Sequence, residues 1–319
     1  MVKKLLRELL LLLLLLAAIF IILEYLFRDY KNAVDLVMDN FSKTKTEAEV
    51  LILGNSHTLP FYKNLKGVEN SNVACLTIGG DDLFWMQALL KKQLEGMPRI
   101  KYIIFNCDDE LLGFNQSLSG MHYMNRVLYR YTGAMYKNKL TDILLSKSNF
   151  FRSNRDIGYL IHKPANTDMM IVNASGTGGF SDEECKARAL EISEKRFQRR
   201  LFSENLIYIS SILREAGRCQ ARIFVLKMPK SDCLQAEVNH ANLDASRVLL
   251  DSIFTANGVE TLDFSKDNTF ARDEYDNPDH LTPVAAGRLL KMINDSIFSA
   301  AGVRPIRLNS GSDSLLNTL

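Results

Sequence analysis

The feature that most constrains this chain is an unbroken apolar run near its N-terminus, at residues 9–23. The run continues past Glu24 as far as Phe27. As a helix rising about 1.5 Å per residue, residues 9–27 span about 28 Å, close to the ~30 Å thickness of bilayer hydrocarbon. The stretch therefore predicts a membrane-spanning signal anchor, to which we assign residues 1–27.

Basic residues on both sides of the run indicate its orientation in the membrane. Lys3, Lys4 and Arg7 favour a cytoplasmic N-terminus, against a weaker opposite bias from Arg28 and Lys31. We therefore expect a single-pass membrane protein whose globular part lies outside the cytoplasm. A cleaved signal peptide is the alternative, although the apolar run is long for that role and no A-x-A-like cleavage site follows it.

Composition limits the kinds of protein and binding site that the rest of the chain can form. A hydrophobic content of 47% and a charged content of 24% are those of a globular domain. The net charge of +2, without a basic stripe, gives no reason to expect a nucleic-acid partner. The five cysteines include no CxxC pair, which disfavours a zinc site and leaves at most two disulfides of open pairing. We expect no metal and no cofactor.

Short apolar runs and helical patterns alternate along residues 50–303. The runs predict strands at residues 50–53, 73–78, 100–105, 223–227 and 259–264. The helical patterns lie at residues 82–94, 182–216, 242–256 and 282–301. The runs lack strict alternation, as is typical of parallel strands covered on both faces. The pattern predicts an α/β domain with a three-layer, doubly wound sheet of about five parallel strands.

Three further segments complete the domain organisation. Residues 28–49 are predicted to be a stem between the anchor and the domain. Residues 111–179 form an insert after the third strand, with helical patterns at 123–136 and 140–145. Inserts at this edge of a sheet commonly form the rim of a substrate site. Residues 304–319 are predicted to be a polar tail.

The sharpest local motif is LGNSHT at residues 53–58, directly after the first predicted strand. It presents a Ser56 hydroxyl at the carboxyl edge of the sheet, where open α/β sheets bind ligands. Asn55 and Ser56 are also good helix caps, so the motif alone leaves the nucleophile and cap interpretations open. His57 is interpreted as structural, because neighbouring side chains on a turn usually point apart.

A second motif, DNPDHLT at residues 276–282, lies between the last predicted strand and the last helix. It returns His280 to the carboxyl edge that carries Ser56. A nucleophile–base pair is therefore expected, with Ser56 Oγ and His280 within or near hydrogen-bond reach of ~2.6–3.2 Å. The alternative is a histidine at a helix start that is satisfied by solvent.

Together these motifs resemble those of the SGNH/GDSL-type esterases and acyl-transfer proteins. GNSH at 54–57 is similar to the first block of the family, and DHLTPVAAG at 279–287 is similar to the last. The resemblance covers about residues 50–301. It implies a flavodoxin-like sheet, with Ser56 as nucleophile and His280 as general base.

The resemblance also implies an oxyanion hole. Gly79 and Gly80, after the second strand, match the block that contributes a glycine N–H. After the third strand the family carries an oxyanion Asn, but strict spacing places Asp108 there. We expect Asn106 to be the donor instead, since a carboxylate would repel an oxyanion.

The acid that orients His280 is the second departure from the family pattern. The family places it three residues before the His, where this chain has Asn277, flanked by Asp276 and Asp279. Asp276 could substitute after a small backbone shift, or Asn277 could orient the ring as an amide. In a protease, replacing the triad Asp by Asn costs ~10⁴-fold in turnover. The sequence leaves both residues open.

These motifs predict a membrane-anchored serine esterase or O-acyltransferase, active without a cofactor, on acyl esters of envelope polysaccharide or glycolipid. The resemblance implies a membrane-bound O-acyltransferase as a partner, beside the lipid bilayer itself. One alternative is a catalytically lapsed accessory or scaffold protein for polysaccharide acylation. Another is a metal-dependent phosphoester enzyme that uses the acidic pairs Asp81-Asp82 and Asp108-Asp109, for which helix caps and solvated loop ends are the simpler roles.

Overall fold

Five short parallel strands form the central sheet. They are β1 (Val50–Gly54), β2 (Val73–Thr77), β3 (Tyr102–Asn106), β4 (Arg222–Lys227) and β5 (Glu260–Asp263). Their spatial order is β2-β1-β3-β4-β5, the flavodoxin-like order, in which ligands bind outside the carboxyl ends of the strands at the switch between β1 and β3. The predicted fold class is confirmed, and each predicted strand appears with its ends moved by one or two residues.

The computed structural model describes residues 2–29, 31–65, 72–116, 122–137, 140–153, 179–266 and 269–298. A short antiparallel pair, β6 (Tyr275–Asn277) and β7 (His280–Leu281), follows the main sheet. The predicted polar tail and the insert residues 154–178 lie outside the described residues.

Most of the other described elements are helices. They are α1 (Val2–Leu26), α2 (Ala33–Thr44), α3 (Leu59–Leu65), α4 (Leu83–Gln93), α5 (His122–Thr132), α6 (Leu140–Leu145), α7 (Asn149–Ser153), α8 (Asp182–Leu190), α9 (Phe202–Arg218), α10 (Asp232–Glu237), α11 (His240–Ala256) and α12 (Pro283–Phe298). Helix α4 packs against α9, and α3 packs against α12. Every residue of β1 and β2 is buried. Because successive strand side chains point to opposite faces, both faces of these strands are covered.

The predicted single helix over residues 182–216 is wrong, because the chain breaks between α8 and α9. After α8 a π-helical turn, Glu191–Lys195, ends the first piece. Phe197 then turns inward and packs edge-on against Phe202, with ring centroids 5.6 Å apart. The neighbouring Gln198 N–H donates to the carbonyl of Gly113 at 2.8 Å. Burial of the Phe197 ring thus replaces continuous helix at this point.

The segment predicted to be a stem is part of the folded core. Its helix α2 is capped by Asn32, whose side chain accepts a hydrogen bond from the backbone N–H of Asp35. In return, the backbone N–H of Asn32 donates to the Asp35 carboxylate. One apolar stripe of α2 is buried against the sheet: Val34, Val37, Met38 and Phe41. The mixed polar composition that indicated a stem is the pattern of an amphipathic helix with one face on a core.

This difference leads to a prediction about truncation. Deleting residues 1–27 should leave a soluble domain that unfolds cooperatively, because no residue of α1 is buried. Deleting residues 1–46 should prevent cooperative folding, since the four side chains of α2 each contribute ~1.5–3 kcal/mol to a total stability of ~5–15 kcal/mol. Thermal unfolding followed by circular dichroism compares the two proteins. Equal melting curves would contradict the place of α2 in the core.

Helix α1 contains the predicted membrane span. It is long and apolar enough to cross a bilayer, and none of its residues is buried. An N-terminal signal sequence can meet the same criteria of length and composition. The structure therefore agrees with either of the two roles that the sequence leaves open for residues 1–27.

One disulfide occurs among the described cysteines. Cys185 in α8 and Cys233 in α10 are bonded, with their Cα atoms 6.0 Å apart. Cys75, Cys107 and Cys219 are free. The disulfide ties α8, which follows the insert, to the short helix after β4.

Candidate active site

Ser56 lies in the turn that follows β1. Asn55 Oδ1 accepts a hydrogen bond from the N–H of His57 at 2.9 Å, and the Thr58 hydroxyl donates to the carbonyl of Asn55 at 3.1 Å. A Cβ at Gly54 would lie 2.3 Å from Thr58 Oγ1, so only glycine fits at the end of β1. The local sequence thus closes a tight turn that leaves Ser56 partly exposed.

A cavity of about 200 Å³ opens beside Ser56 at the carboxyl edge of the sheet. Its wall combines the turn after β1, the turn after β2, the residues after β3 and the helix α8. The residues that line it are Asn55, Ser56, His57, Gly80, Asp81, Glu110, Leu111, Phe114, Gln116, Arg188, Ile192 and Arg196. Gly80 has a φ of +82°, a backbone conformation that favours glycine. Among the described residues, the N–H groups of Ser56 and Gly80 have no hydrogen-bond partner.

His280 is held through one ring nitrogen by two acceptors. Its Nδ1 lies 2.8 Å from Asp279 Oδ1 and 2.9 Å from Asn277 Oδ1. Because both of these neighbours are hydrogen-bond acceptors, Nδ1 carries the proton and donates to them. The Nε2 lone pair is then the basic site of the ring. The ring is therefore oriented by Asn277 at the end of β6 and by Asp279 in the turn before β7.

Asp276 does not take the orienting role that the sequence left open for it. Neither of its carboxylate oxygens has a hydrogen-bond partner among the described residues. Partial burial raises the pKa of Asp276, against the lowering effect of the charge on Lys63. Asp276 lies at an irregularity of the β6–β7 pair, between the paired residues Tyr275 and Asn277. Asn277, and not Asp276, hydrogen-bonds to His280.

Asp279 is the centre of a buried ion network that the sequence did not predict. Its Oδ2 accepts from Arg188 Nη2 at 2.6 Å and Nε at 2.8 Å, and lies 3.3 Å from His57 Nε2. Burial alone would raise the pKa of Asp279, but His280, His57 and Arg188 together hold that pKa well below its ordinary value. Asp279 is therefore an ionised carboxylate facing His280.

His57 is held as a buried cation between two carboxylates. Its Nδ1 lies 2.6 Å from Asp108 Oδ2, on the side opposite Asp279. Burial opposes ionisation, yet the charges and hydrogen bonds of Asp108 and Asp279 raise the pKa of His57 to about 10. In turn His57 lowers the pKa of Asp108, against burial, to about 2. A protonated imidazole cannot accept the Ser56 proton, so this geometry matches the structural interpretation of His57.

The His57 ring also brings the two predicted motifs together. It meets the His280 ring edge-on, with centroids 4.7 Å apart and planes at 82°. A serine after the first strand and a histidine before the last helix thus meet at one edge of a sheet ordered 2-1-3-4-5. This arrangement is the flavodoxin-like α/β fold that the resemblance to SGNH/GDSL-type proteins implies. Among the described residues no hydrogen bond joins Ser56 Oγ to His280, so their direct pairing stays a prediction.

Solved structures with similarity to this chain have low sequence identity. A protein assigned as an acylhydrolase, from Bacteroides fragilis, is 10% identical with a TM-score of 0.40 and covers 84% of this chain and 99% of its own. A GDSL-like lipase from Bacteroides thetaiotaomicron is 9% identical with a TM-score of 0.41 and covers 84% and 98%. A protein assigned as a platelet activating factor, from Streptococcus pneumonia, is 12% identical with a TM-score of 0.40 and covers 90% and 98%. No family model and no curated protein matches the sequence.

Asn106 does not occupy the position expected of the SGNH/GDSL oxyanion asparagine. It is fully buried at the end of β3 and does not line the cavity. Its Nδ2 donates to Asp108 Oδ2 at 3.0 Å and to the carbonyl of Leu226 at 3.2 Å, so both amide hydrogens are used. Asn55 does line the cavity, and among the described residues its Nδ2 has no hydrogen-bond partner. Asn55, directly before Ser56, is thus the better placed amide.

Three of the four aspartates considered for a metal site, Asp82, Asp108 and Asp109, have other partners in the fold. Asp82 accepts from the N–H of Trp85 at 3.1 Å and caps α4, as the sequence suggested. Asp109 pairs with Lys227 at 3.0 Å and Arg247 at 2.8 Å. All four are buried, so the prediction of solvated loop ends is wrong: Asp81, Asp82, Asp108 and Asp109.

Other groupings in the described part of the chain have the chemistry of metal ligands. His57, Asp279 and His280 place one ligand atom each within 4.8 Å of one another, as do His57, Asp108 and Glu110. However, Arg188 already neutralises Asp279, and Lys230 Nζ lies 2.5 Å from Glu110 Oε2. A divalent cation would have to compete with these buried cations. The arrangement favours a network of ion pairs over a metal centre.

Proposed function

We propose that this chain is a serine esterase or O-acyltransferase with Ser56 as nucleophile and His280 as general base. The observation that supports it most strongly is the buried chain from Arg188 through Asp279 to His280. This chain holds the imidazole in one tautomer, and its first member, Arg188, lines the same cavity as Ser56. A nucleophile, a base and an orienting acid in this order form the general logic of serine hydrolases on unrelated folds.

In the proposed reaction, Ser56 Oγ attacks the ester carbonyl as its proton passes to His280 Nε2. The carboxylate of Asp279 stabilises the imidazolium that forms. The N–H groups of Ser56 and Gly80, with the Asn55 amide, receive the developing oxyanion. His280 then returns the proton to the leaving alcohol, and water or an acceptor hydroxyl releases the acyl group from Ser56.

The cavity and the apolar N-terminal helix both support the proposed substrate class. A cavity of about 200 Å³ with apolar walls from Leu111, Phe114 and Ile192 suits a small acyl group such as acetyl. Helix α1 as a membrane anchor and the disulfide Cys185–Cys233 both fit an extracytoplasmic, oxidising compartment. The proposed substrates are therefore O-acyl esters of envelope polysaccharide or glycolipid, handled beside a membrane-bound O-acyltransferase.

The proposal predicts large losses of turnover in two single variants. Ser56→Ala and His280→Ala should each lower hydrolysis of an activated acetyl ester by at least ~10³-fold, as removal of triad members does. Ser210→Ala, in an exposed turn of α9, serves as the matched control and should leave the rate unchanged. Turnover that persists in both variants would contradict the assignment of nucleophile and base.

A second candidate function is a binding or scaffold role in polysaccharide acylation. The observation that favours it is Asn277 at the position where the SGNH/GDSL family carries its acid. Under this proposal the parent protein would bind an acylated polymer but show no turnover, and Ser56→Ala would leave binding unchanged.

If the protein does turn over an ester, analysis of products with and without a defined acceptor separates hydrolysis from transfer.

A further inference from the structure

A carboxylate near the C-terminal end of α1 holds the insert. Glu24 accepts hydrogen bonds from the N–H groups of Asn149 at 2.9 Å and Phe150 at 3.2 Å, and from the hydroxyl of Ser148. An acidic side chain next to a hydrocarbon span is costly unless its oxygens are satisfied. These three donors satisfy it and fix the start of α7 against α1.

Aromatic contacts set the depth at which α7 lies along α1. The Phe150 ring packs on Phe27, with centroids 5.7 Å apart, and the Phe151 ring packs on Phe20 at 6.0 Å. Seven residues of helix separate the two partners in α1, a rise of ~10 Å. Phe20 belongs to the unbroken apolar run, so Phe151 lies level with residues predicted to be inside the hydrocarbon.

The preceding helix α6 presents an apolar face that no described part of the chain covers. Leu140 is 70% exposed and Leu144 is 63% exposed. Four residues apart on a helix, they share one face. Just after α6, the ammonium of Lys147 lies over the ring of Tyr129 in α5, 5.6 Å from its centroid. Lysine and tyrosine next to exposed leucines are typical of the water–membrane boundary.

We propose that residues 140–153 form a second membrane contact, with Leu140, Leu144, Phe150 and Phe151 seated in the headgroup and upper acyl region of the bilayer. This inference rests on the proposed membrane anchoring of α1. A lipid surface is the occupant because Phe151 packs on Phe20, within the apolar run that is predicted to lie in the hydrocarbon. The anchor and the insert together fix the orientation of the domain against the bilayer. An anchor alone would hold the domain near the membrane without fixing its orientation.

Tryptophan fluorescence tests this contact in the full-length protein. The chain has one native tryptophan, Trp85, which is fully buried. Leu144→Trp places a probe on the proposed contact, and Leu13→Trp places one within the anchor. Val248→Trp is the matched control, since Val248 is an exposed apolar residue on α11, 68% accessible. Each protein is reconstituted into phosphatidylcholine vesicles that carry lipid brominated high on the acyl chains.

The proposal predicts that Leu144→Trp is quenched about twofold, as for a group ~5–10 Å deep in the interface, while Val248→Trp is not. Adding Glu24→Ala should reduce the quenching at Leu144→Trp and leave that at Leu13→Trp unchanged. If Leu13→Trp is quenched and Leu144→Trp is not, the insert contact is refuted and the anchor stands. If neither is quenched, membrane anchoring itself fails. Shielding of Leu144→Trp from both lipid and aqueous iodide would indicate a protein contact and would also overturn the proposal.

Discussion

Replacing Asp279 by Asn should lower the turnover of an acyl ester by ~10³–10⁴-fold, the scale of the same substitution in a protease triad. The carboxylate accepts from His280 Nδ1 at 2.8 Å and is kept ionised by Arg188 and His57. An amide there can present its NH₂ group to Nδ1, which would stabilise the wrong tautomer of His280. The loss should appear in kcat more than in KM, since Asp279 does not line the cavity.

Two neighbouring substitutions serve as controls for this result. Asp276→Asn should change the rate little, because its carboxylate makes no hydrogen bond among the described residues. Asn277→Asp should also have a small effect, since Asp279 already supplies a carboxylate to His280 Nδ1. A large loss in Asp276→Asn with none in Asp279→Asn would contradict the network. Thermal unfolding of each variant separates lost catalysis from lost folding.

Replacing His57 by Asn should remove a pH-dependent part of the stability. Because the pKa of His57 rises from 6.5 in the unfolded chain to about 10 in the fold, its contribution is complete below pH ~6.5 and is lost as pH rises toward ~10. Leaving Asp108 and Asp279 without their shared cation should cost ~3–5 kcal/mol at pH 6, the range for a broken buried ion pair. The parent protein should therefore lose stability between pH 6.5 and 10 by an increment that His57→Asn lacks.

Melting temperatures at pH 6 to 9.5 measure this difference. His240→Asn is the matched control, because His240 is exposed at the start of α11, and it should reproduce the pH dependence of the parent protein. Parallel curves for the parent protein and His57→Asn would contradict a buried imidazolium. On the acidic side, Asp108 has a pKa of about 2, so its contribution is complete above pH ~3.8 and is lost as pH falls toward ~2.

The sheet was predictable because β1, β2 and β3 are apolar runs, each followed by residues that end a strand. Gly54 ends β1, and Gly79-Gly80 follows β2, so local chemistry marks the edges. The positions of Ser56 and His280 follow from topology alone, since parallel strands share a carboxyl edge. Helix α2 was missed because its buried stripe is interrupted by polar residues that face solvent, a pattern that a short stem also has.

The ion network was not predictable, because its members come from distant parts of the chain. Arg188 lies beyond the insert, 91 residues before Asp279, and nothing in its local sequence marks a partner. Asp279 is adjacent to the predicted base, but the family pattern places the orienting acid at the position of Asn277. Asn106 was chosen by residue type, whereas its hydrogen bonds to Asp108 and the Leu226 carbonyl decide its role.

The central claim, that Ser56 is an activated nucleophile, is tested most directly by a fluorophosphonate probe followed by mass spectrometry of the labelled peptide. The account predicts one adduct, on Ser56, in the parent protein, with labelling slowed strongly in His280→Ala and Asp279→Asn and unaffected in Ser210→Ala. Absence of the Ser56 adduct in a folded protein, or labelling of another serine at equal rate, would contradict it.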